Sequence, residues 1–226
     1  MNVLAPARAR AITITAPAET WAAAFSAWGR RLKALPSGVH PEWFEPLTPA
    51  DTARARWQDL AAYLDIGSAS QDDVADPVLR LALLDPAEMT RVLVFRALLA
   101  RRGQVRLCIE RSRQALYMSA VGEDAWRAVL ADGYDAADPL GGDELPDLEV
   151  LAWEGYEHFA RARQERPPSA LSRLMRLQFP GQTVRGQHFR PDAGASRWIL
   201  QRLGLTLKEA PPWCTCAGMN CALNWA

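Results

Sequence analysis

Between its proline and glycine stops, this chain keeps returning to one spacing. Trp21, Phe25, Trp28, Leu32 and Leu35 follow one another at steps of four and three, which places them on one face of a helix. Pro17 suits the first turn of that helix, and Pro36-Ser37-Gly38 ends it. Thr48-Pro49-Ala50-Asp51 announces a second helix, with Trp57, Leu60, Ala61 and Leu64 on its buried face and Gly67 at its close. Asp76-Pro77 opens a short apolar helix running to Leu84.

Asp85-Pro86 repeats the start signal ahead of the longest helical stretch, roughly 86–118. There Val94, Leu98, Val105, Ile109 and Leu116 fall within an arc of about 60°, a continuous apolar seam. Gly103 is the expected place for a kink. Gly122 sets off a helix from Glu123 to Ala131, and residues 133–147 read as a loop. Three further helices carry Leu148 to Phe159, Leu171 to Gln178, and Trp198 to Leu203. The best strand-like run, Ala11 to Thr15, is too short to build a sheet. The expected fold class is therefore all-α. A single helical domain of about eight helices spans 17–205, after an irregular N-terminal extension (1–16) and before a flexible Pro/Cys-containing tail (206–226).

Composition narrows the function classes. Lys+Arg and Asp+Glu are both 26, so the net charge is zero, which argues against a nucleic-acid partner. No window holds the 18 or so uncharged apolar residues of a membrane span, so direct membrane insertion is not expected. Three of the four cysteines, Cys214, Cys216 and Cys221, crowd the last 13 residues, while Cys108 stands apart. That is no disulfide framework, and it fits a reducing, cytoplasmic setting.

Catalytic and metal signatures are missing from the sequence. There is no Walker loop, no dinucleotide fingerprint and no nucleophile elbow. His158 follows Glu154 by four, but the third ligand of a metal site is not at hand, so it reads as a surface or boundary residue. His40 and His188 lie in irregular segments. Cys214-Thr215-Cys216 and Cys221 lack the C-x-x-C hook of structural zinc sites. We expect no catalytic residue, no cofactor, no metal and no enzyme activity.

Charge is distributed unevenly beneath the zero net value. From Ala128 to Ala160 nine acids occur without a Lys or Arg, whereas Arg80 to Arg113 holds eight arginines against Asp85, Glu88 and Glu110. On a continuous long helix Arg91, Arg102, Arg106 and Arg113 would form one basic stripe. Either the two segments neutralise each other inside the chain, or they are two docking faces of opposite sign. On the second reading Arg91, Arg102, Arg106 and Arg113 belong to one partner surface, and Asp143, Glu144 and Asp147 to the other.

Several segments also resemble a known family. Pro36-Ser37-Gly38-Val39-His40-Pro41-Glu42-Trp43-Phe44 is similar to the entry segment of the type III secretion K component (SctK, YscK or PscK-like). The order continues with Leu83-Leu84-Asp85-Pro86-Ala87-Glu88 before an arginine-rich helix, then Val121-Gly122-Glu123-Asp124-Ala125-Trp126, then Leu171 to Pro180. The resemblance covers about 36–180 and leaves out the cysteine tail. It implies a cytoplasmic, helical, non-enzymatic adaptor of the injectisome sorting platform, peripheral to the inner membrane. Its partners would be the cytoplasmic domain of the inner-membrane ring D component and the pod Q component, with the L component and the secretion ATPase further along.

Two other readings compete. A helical chaperone or regulator would bind a peptide in an apolar groove, for instance one lined by Trp21, Phe25 and Trp28. A helical enzyme would gather ionisable side chains from separate helices around a pocket.

Overall fold

Fifteen mostly apolar residues ahead of Arg101 make the hub of the molecule. They form helix α2 (Pro86–Ala100). Met89 and every residue from Val92 to Ala100 are buried, Arg96 among them, while Ala87, Thr90 and Arg91 nearer the start are exposed. The computed structural model of the chain describes residues 26–27, 29–30, 39–45, 58–60, 62, 71–131, 145–162, 169–180 and 193–202, and the fold is all-α. Ahead of α2 come α1 (Gln71–Ala75) and a 3₁₀ segment, Leu79–Leu83, buried throughout. After it come α3 (Arg102–Leu107), α4 (Arg111–Val121), α5 (Glu123–Leu130), α6 (Leu148–Ala162), α7 (Ala170–Arg176) and α8 (Ala193–Arg202).

Local chemistry accounts for most of the helix starts. Asp85 caps α2, its Oδ1 accepting from the Ala87 N–H at 2.9 Å, and Pro86 fills a position that needs no donor. Ser169 and Ser172 form a reciprocal capping box at the start of α7. Gly122 stands between α4 and α5 at φ 89°, the left-handed region that glycine enters without steric cost.

The stretch from 86 to 118 is not one helix. The chain leaves helical geometry at Arg101 (φ −100°, ψ 23°) and again over Cys108–Glu110, giving α2, α3 and α4. Gly103, the expected kink, stays helical. Different elements claim the side chains at the first break. Arg101 is held by Glu154 of α6, and Arg102 donates to the Ala131 carbonyl beyond α5. The expected seam therefore splits. Val94, Leu98 and Val105 are buried, whereas Ile109 and Leu116 face outward.

The main packing contact is α2 against α6. Leu151, Ala152, Trp153 and Phe159 of α6 belong to the same buried core as α2. Gly155 lets the two backbones approach closely: a Cβ at this position would lie 2.8 Å from Leu93 Cα and overlap the Leu93 carbonyl. The same seam holds a buried ion pair. Arg101 Nε and Nη2 donate to the two Glu154 oxygens at 2.6 and 2.5 Å, and Arg101 Nη1 donates to Gln104 at 2.7 Å. His158, one turn beyond Glu154, is buried rather than at the surface or boundary, because α6 presents that face to the core.

A 3₁₀ turn, Pro41–Phe44, closes the aromatic end. The His40 N–H donates to the Leu177 carbonyl at 2.7 Å, and Trp43 Nε1 to the Phe179 carbonyl at 2.7 Å. The Arg176 guanidinium lies over Trp153 and Trp43, 4.5 and 5.5 Å from the ring centroids. Burial pushes the pKa of Arg176 below the usual arginine range, opposed by Tyr156, Glu157 and Glu42. This segment, one of those that resemble the K component, is thus structurally a pin. Among the described residues no helix is long and apolar enough to cross a membrane.

Candidate interaction surface

Isoleucine and leucine leave water whenever packing allows, so their places on the surface are informative when they cluster. Among the described residues the exposed large hydrophobics are Leu107, Ile109, Leu116, Met118 and Leu130, all on α3 to α5 or the link between them. Ile109 is 92% and Leu107 79% exposed. They sit on the turn between α3 and α4, and the turn is well held. Gln114 Nε2 donates to the Cys108 carbonyl at 2.5 Å, and Glu110 accepts from Arg113 at 3.0 Å and from Ser112 at 2.8 Å. Arg106 Nη2 reaches the Leu130 carbonyl at 3.3 Å, tying α3 to the end of α5. Two apolar side chains are therefore presented outward on fixed backbone, with Arg106 and Arg111 exposed beside them in the chain. Such a corner is suited to docking another protein, with apolar anchors for affinity and guanidinium groups for orientation.

The structure scatters the arginines expected to form one stripe. Arg91 is exposed on α2. Arg102 is buried and bonded to Ala131. Arg106 and Arg113 lie on α3 and α4 with the partners just named. The stripe fails because it required an unbroken helix. Of the acids, Asp147 caps α6, its Oδ1 accepting from the Val150 N–H at 2.9 Å, while Asp143 and Glu144 lie outside the described residues. Arg101–Glu154 joins the basic stretch to the acidic one inside the core, so part of the opposite charge is neutralised within the chain. Arg80 and Arg96 are also buried; Arg96 Nε donates to Ser196 of α8 at 3.0 Å. Burial lowers the pKa of Arg80, though an arginine keeps its proton at neutral pH.

The sequence reading missed Leu107 and assigned Ile109 to the buried seam. Nothing local marks either residue as exposed; the signal is the break between α3 and α4. Among the described residues no group of three or more His, Cys, Asp or Glu side chains is placed to hold a metal ion. Cys108 is a free, half-buried thiol. Cys214, Cys216, Cys221 and His188, like Trp21, Phe25 and Trp28, lie outside what is described.

The family model for "Bacterial type III secretion protein (HrpB4)" matches residues 15–206. The chain belongs to the HrpB4 family of type III secretion proteins. The match takes in every described helix and the Pro41–Phe44 pin, and stops before the cysteines of the tail. No curated protein and no solved structure gives a significant match.

Proposed function

We propose that this HrpB4-family protein is a non-enzymatic structural adaptor of the cytoplasmic sorting platform of the injectisome. It bridges the cytoplasmic domain of the inner-membrane ring D component to the pod Q component, with the L component and the secretion ATPase further along the assembly. It stays on the cytoplasmic side, peripheral to the inner membrane. Family membership and the K-component resemblance of the segments around His40, Asp85 and Gly122 support this reading.

The observation that carries it is the fixed, outward-facing apolar corner at Leu107 and Ile109. Burying a Leu or Ile side chain costs about 0.5–1 kcal/mol of rotamer freedom, less than the burial returns, yet here they stay in water. At roughly 25 cal/mol per Å² of apolar surface, covering them is a favourable source of association energy. Co-purification with the ring and pod proteins tests the reading. The expected result is that the native chain brings down both, and that the pair Leu107→Asp and Ile109→Asp loses one while keeping the other. Failure of the native chain to recover either partner would refute the bridging role.

A further inference from the structure

Helix α4 lacks the charged face that a helix lying against water usually has. At 100° per residue, Arg111, Ser112, Ala115, Leu116, Met118 and Ser119 occupy one continuous side, and all six are exposed. Arg111 is the only charged residue among them. The next helix, α5, shows the ordinary arrangement: it turns Glu123, Asp124 and Arg127 outward, where they pair with one another. On α4, Ala115, Ser119 and Ser112 lie within about 60° of one another, with Met118 on one side of them and Leu116 on the other. Small side chains between two long apolar ones make a trough about 16 Å long, the relief that receives a ridge of side chains from another helix. Leu107 and Ile109 stand at the end of the trough where α4 begins.

That end of α4 carries charge of the unfavourable sign. Arg111 and Arg113 stand in the first turn, where the helix favours carboxylates, and no acid does. Glu110, the residue before them, accepts from Arg113 at 3.0 Å and Ser112 at 2.8 Å and caps no backbone N–H. It is the only acid between Arg102 and Gly122. Arg106, exposed on α3, brings another guanidinium to the same corner. Arg106, Arg111 and Arg113 against Glu110 alone leave the corner positive. Apolar side chains in water and cations at the positive end of a helix each destabilise an isolated chain, and one occupant relieves both.

We propose that the open face of α4 docks an amphipathic helix of a partner protein, with its apolar stripe in the trough and its carboxylates over Arg106 and Arg111. The apolar residues of that helix recur three and four apart over about three turns. Its Asp or Glu side chains lie at the end that meets the α3–α4 turn. This deepens the adaptor reading and rests on it in taking the partner from the secretion apparatus. The corner at Leu107 and Ile109 becomes one end of a surface as long as α4, and the arginines fix which way the partner helix runs along it.

The test uses the full chain with a photo-crosslinking amino acid at Ala115 in the trough, or at Gln201 on α8 as a control. Each is mixed with the purified ring D cytoplasmic domain, pod Q component, L component or secretion ATPase, and adducts are mapped by mass spectrometry. The expected result is that the Ala115 label, and not the Gln201 label, joins one of these proteins within a helix of the stated pattern. Made as a peptide, that helix binds the chain in fluorescence anisotropy. Arg111→Glu weakens binding by about tenfold or more and flattens its salt dependence, whereas Arg111→Lys keeps most of the affinity. Arg111→Glu melts no lower than the native chain, because an acid suits the first turn of α4, so its loss of binding is not unfolding. Ser119→Trp, which fills the trough, abolishes binding. The proposal is overturned if the Ala115 label joins no partner, or joins only a second copy or this chain's own residues 132–144. A partner segment without the acidic, helical pattern, or native affinity in Arg111→Glu, overturns it equally. Co-purification separates the two readings. If the native chain recovers ring and pod proteins while the Ala115 label joins no partner, the docking inference fails and the adaptor stands. If the native chain recovers neither, and the label joins the L component or the ATPase in an Arg111-dependent way, the adaptor reading fails and the docking face stands.

Discussion

The α2–α6 seam and the α3–α5 corner use the same residue types in opposite ways. In the seam an arginine, Arg101, is buried and fully engaged by Glu154 and Gln104. At the corner Arg111 and Arg106, the latter also reaching the Leu130 carbonyl, stay exposed. In the seam Leu93 and Leu151 are wholly buried; at the corner Leu107 and Ile109 are among the most exposed hydrophobics of the described residues. The seam's side chains hold the chain together, whereas the corner leaves its apolar side chains in water. Residue type alone does not distinguish buried from exposed arginines; the backbone break at Arg101 and the turn at Cys108–Glu110 do.

The sharpest way to break this contrast is at Glu154. Glu154→Ala strands the Arg101 guanidinium in the core and is expected to cost about 3–5 kcal/mol, read from urea unfolding. Replacing both partners, Arg101→Met with Glu154→Leu, is expected to recover most of that loss, because the penalty belongs to the unpaired charge. If Glu154→Ala unfolds like the native protein, the seam is wetter than its geometry implies. Next in size is Gly155→Ala. The added methyl meets the Leu93 backbone and not a movable side chain, so α2 and α6 must separate, at about 1–3 kcal/mol. A melting temperature within error of the native value would show that the close approach is slack. The smallest stability effect belongs to the corner. Leu107→Ser with Ile109→Ser is expected to stay within about 0.5 kcal/mol of the native chain, since neither side chain contributes much buried area. A loss comparable to that of Gly155→Ala would mean that these residues pack against the chain itself.

Much of the fold was legible because it is local. Asp85-Pro86 starts α2, Gly122 separates α4 from α5, and the period of Ala125, Trp126 and Val129 sets the inner face of α5. The resulting all-α class follows from such signals. What escaped is what distance decides. At the break after Ala100 the Arg101 side chain is held by Glu154, 53 residues further along, a contact the local period does not carry, and an uninterrupted period suggested an uninterrupted helix. The apolar seam and the basic stripe both inherited that error, which sent Ile109 inward and grouped Arg102 with Arg91. Asp147 was readable in principle: an Asp after Pro146 and three residues ahead of Val150 has the spacing of a cap, and its place in an acidic run obscured this. His158 was misplaced because a polar residue one turn from a glutamate reads as surface, while Gly155 between them marks the face that approaches α2.

The pin at Pro41–Phe44 sets a condition on the order of assembly. Trp43 leaves the ribosome early, but the carbonyl that receives its N–H lies 136 residues downstream. At typical synthesis rates it waits on the order of ten seconds for that seat to exist. Throughout that interval the nascent chain carries an unsheathed indole, and the aromatic end can be latched only after Phe179 has emerged. Truncated chains ending before that point would leave the ribosome unlatched, a ready target for chaperones and proteases.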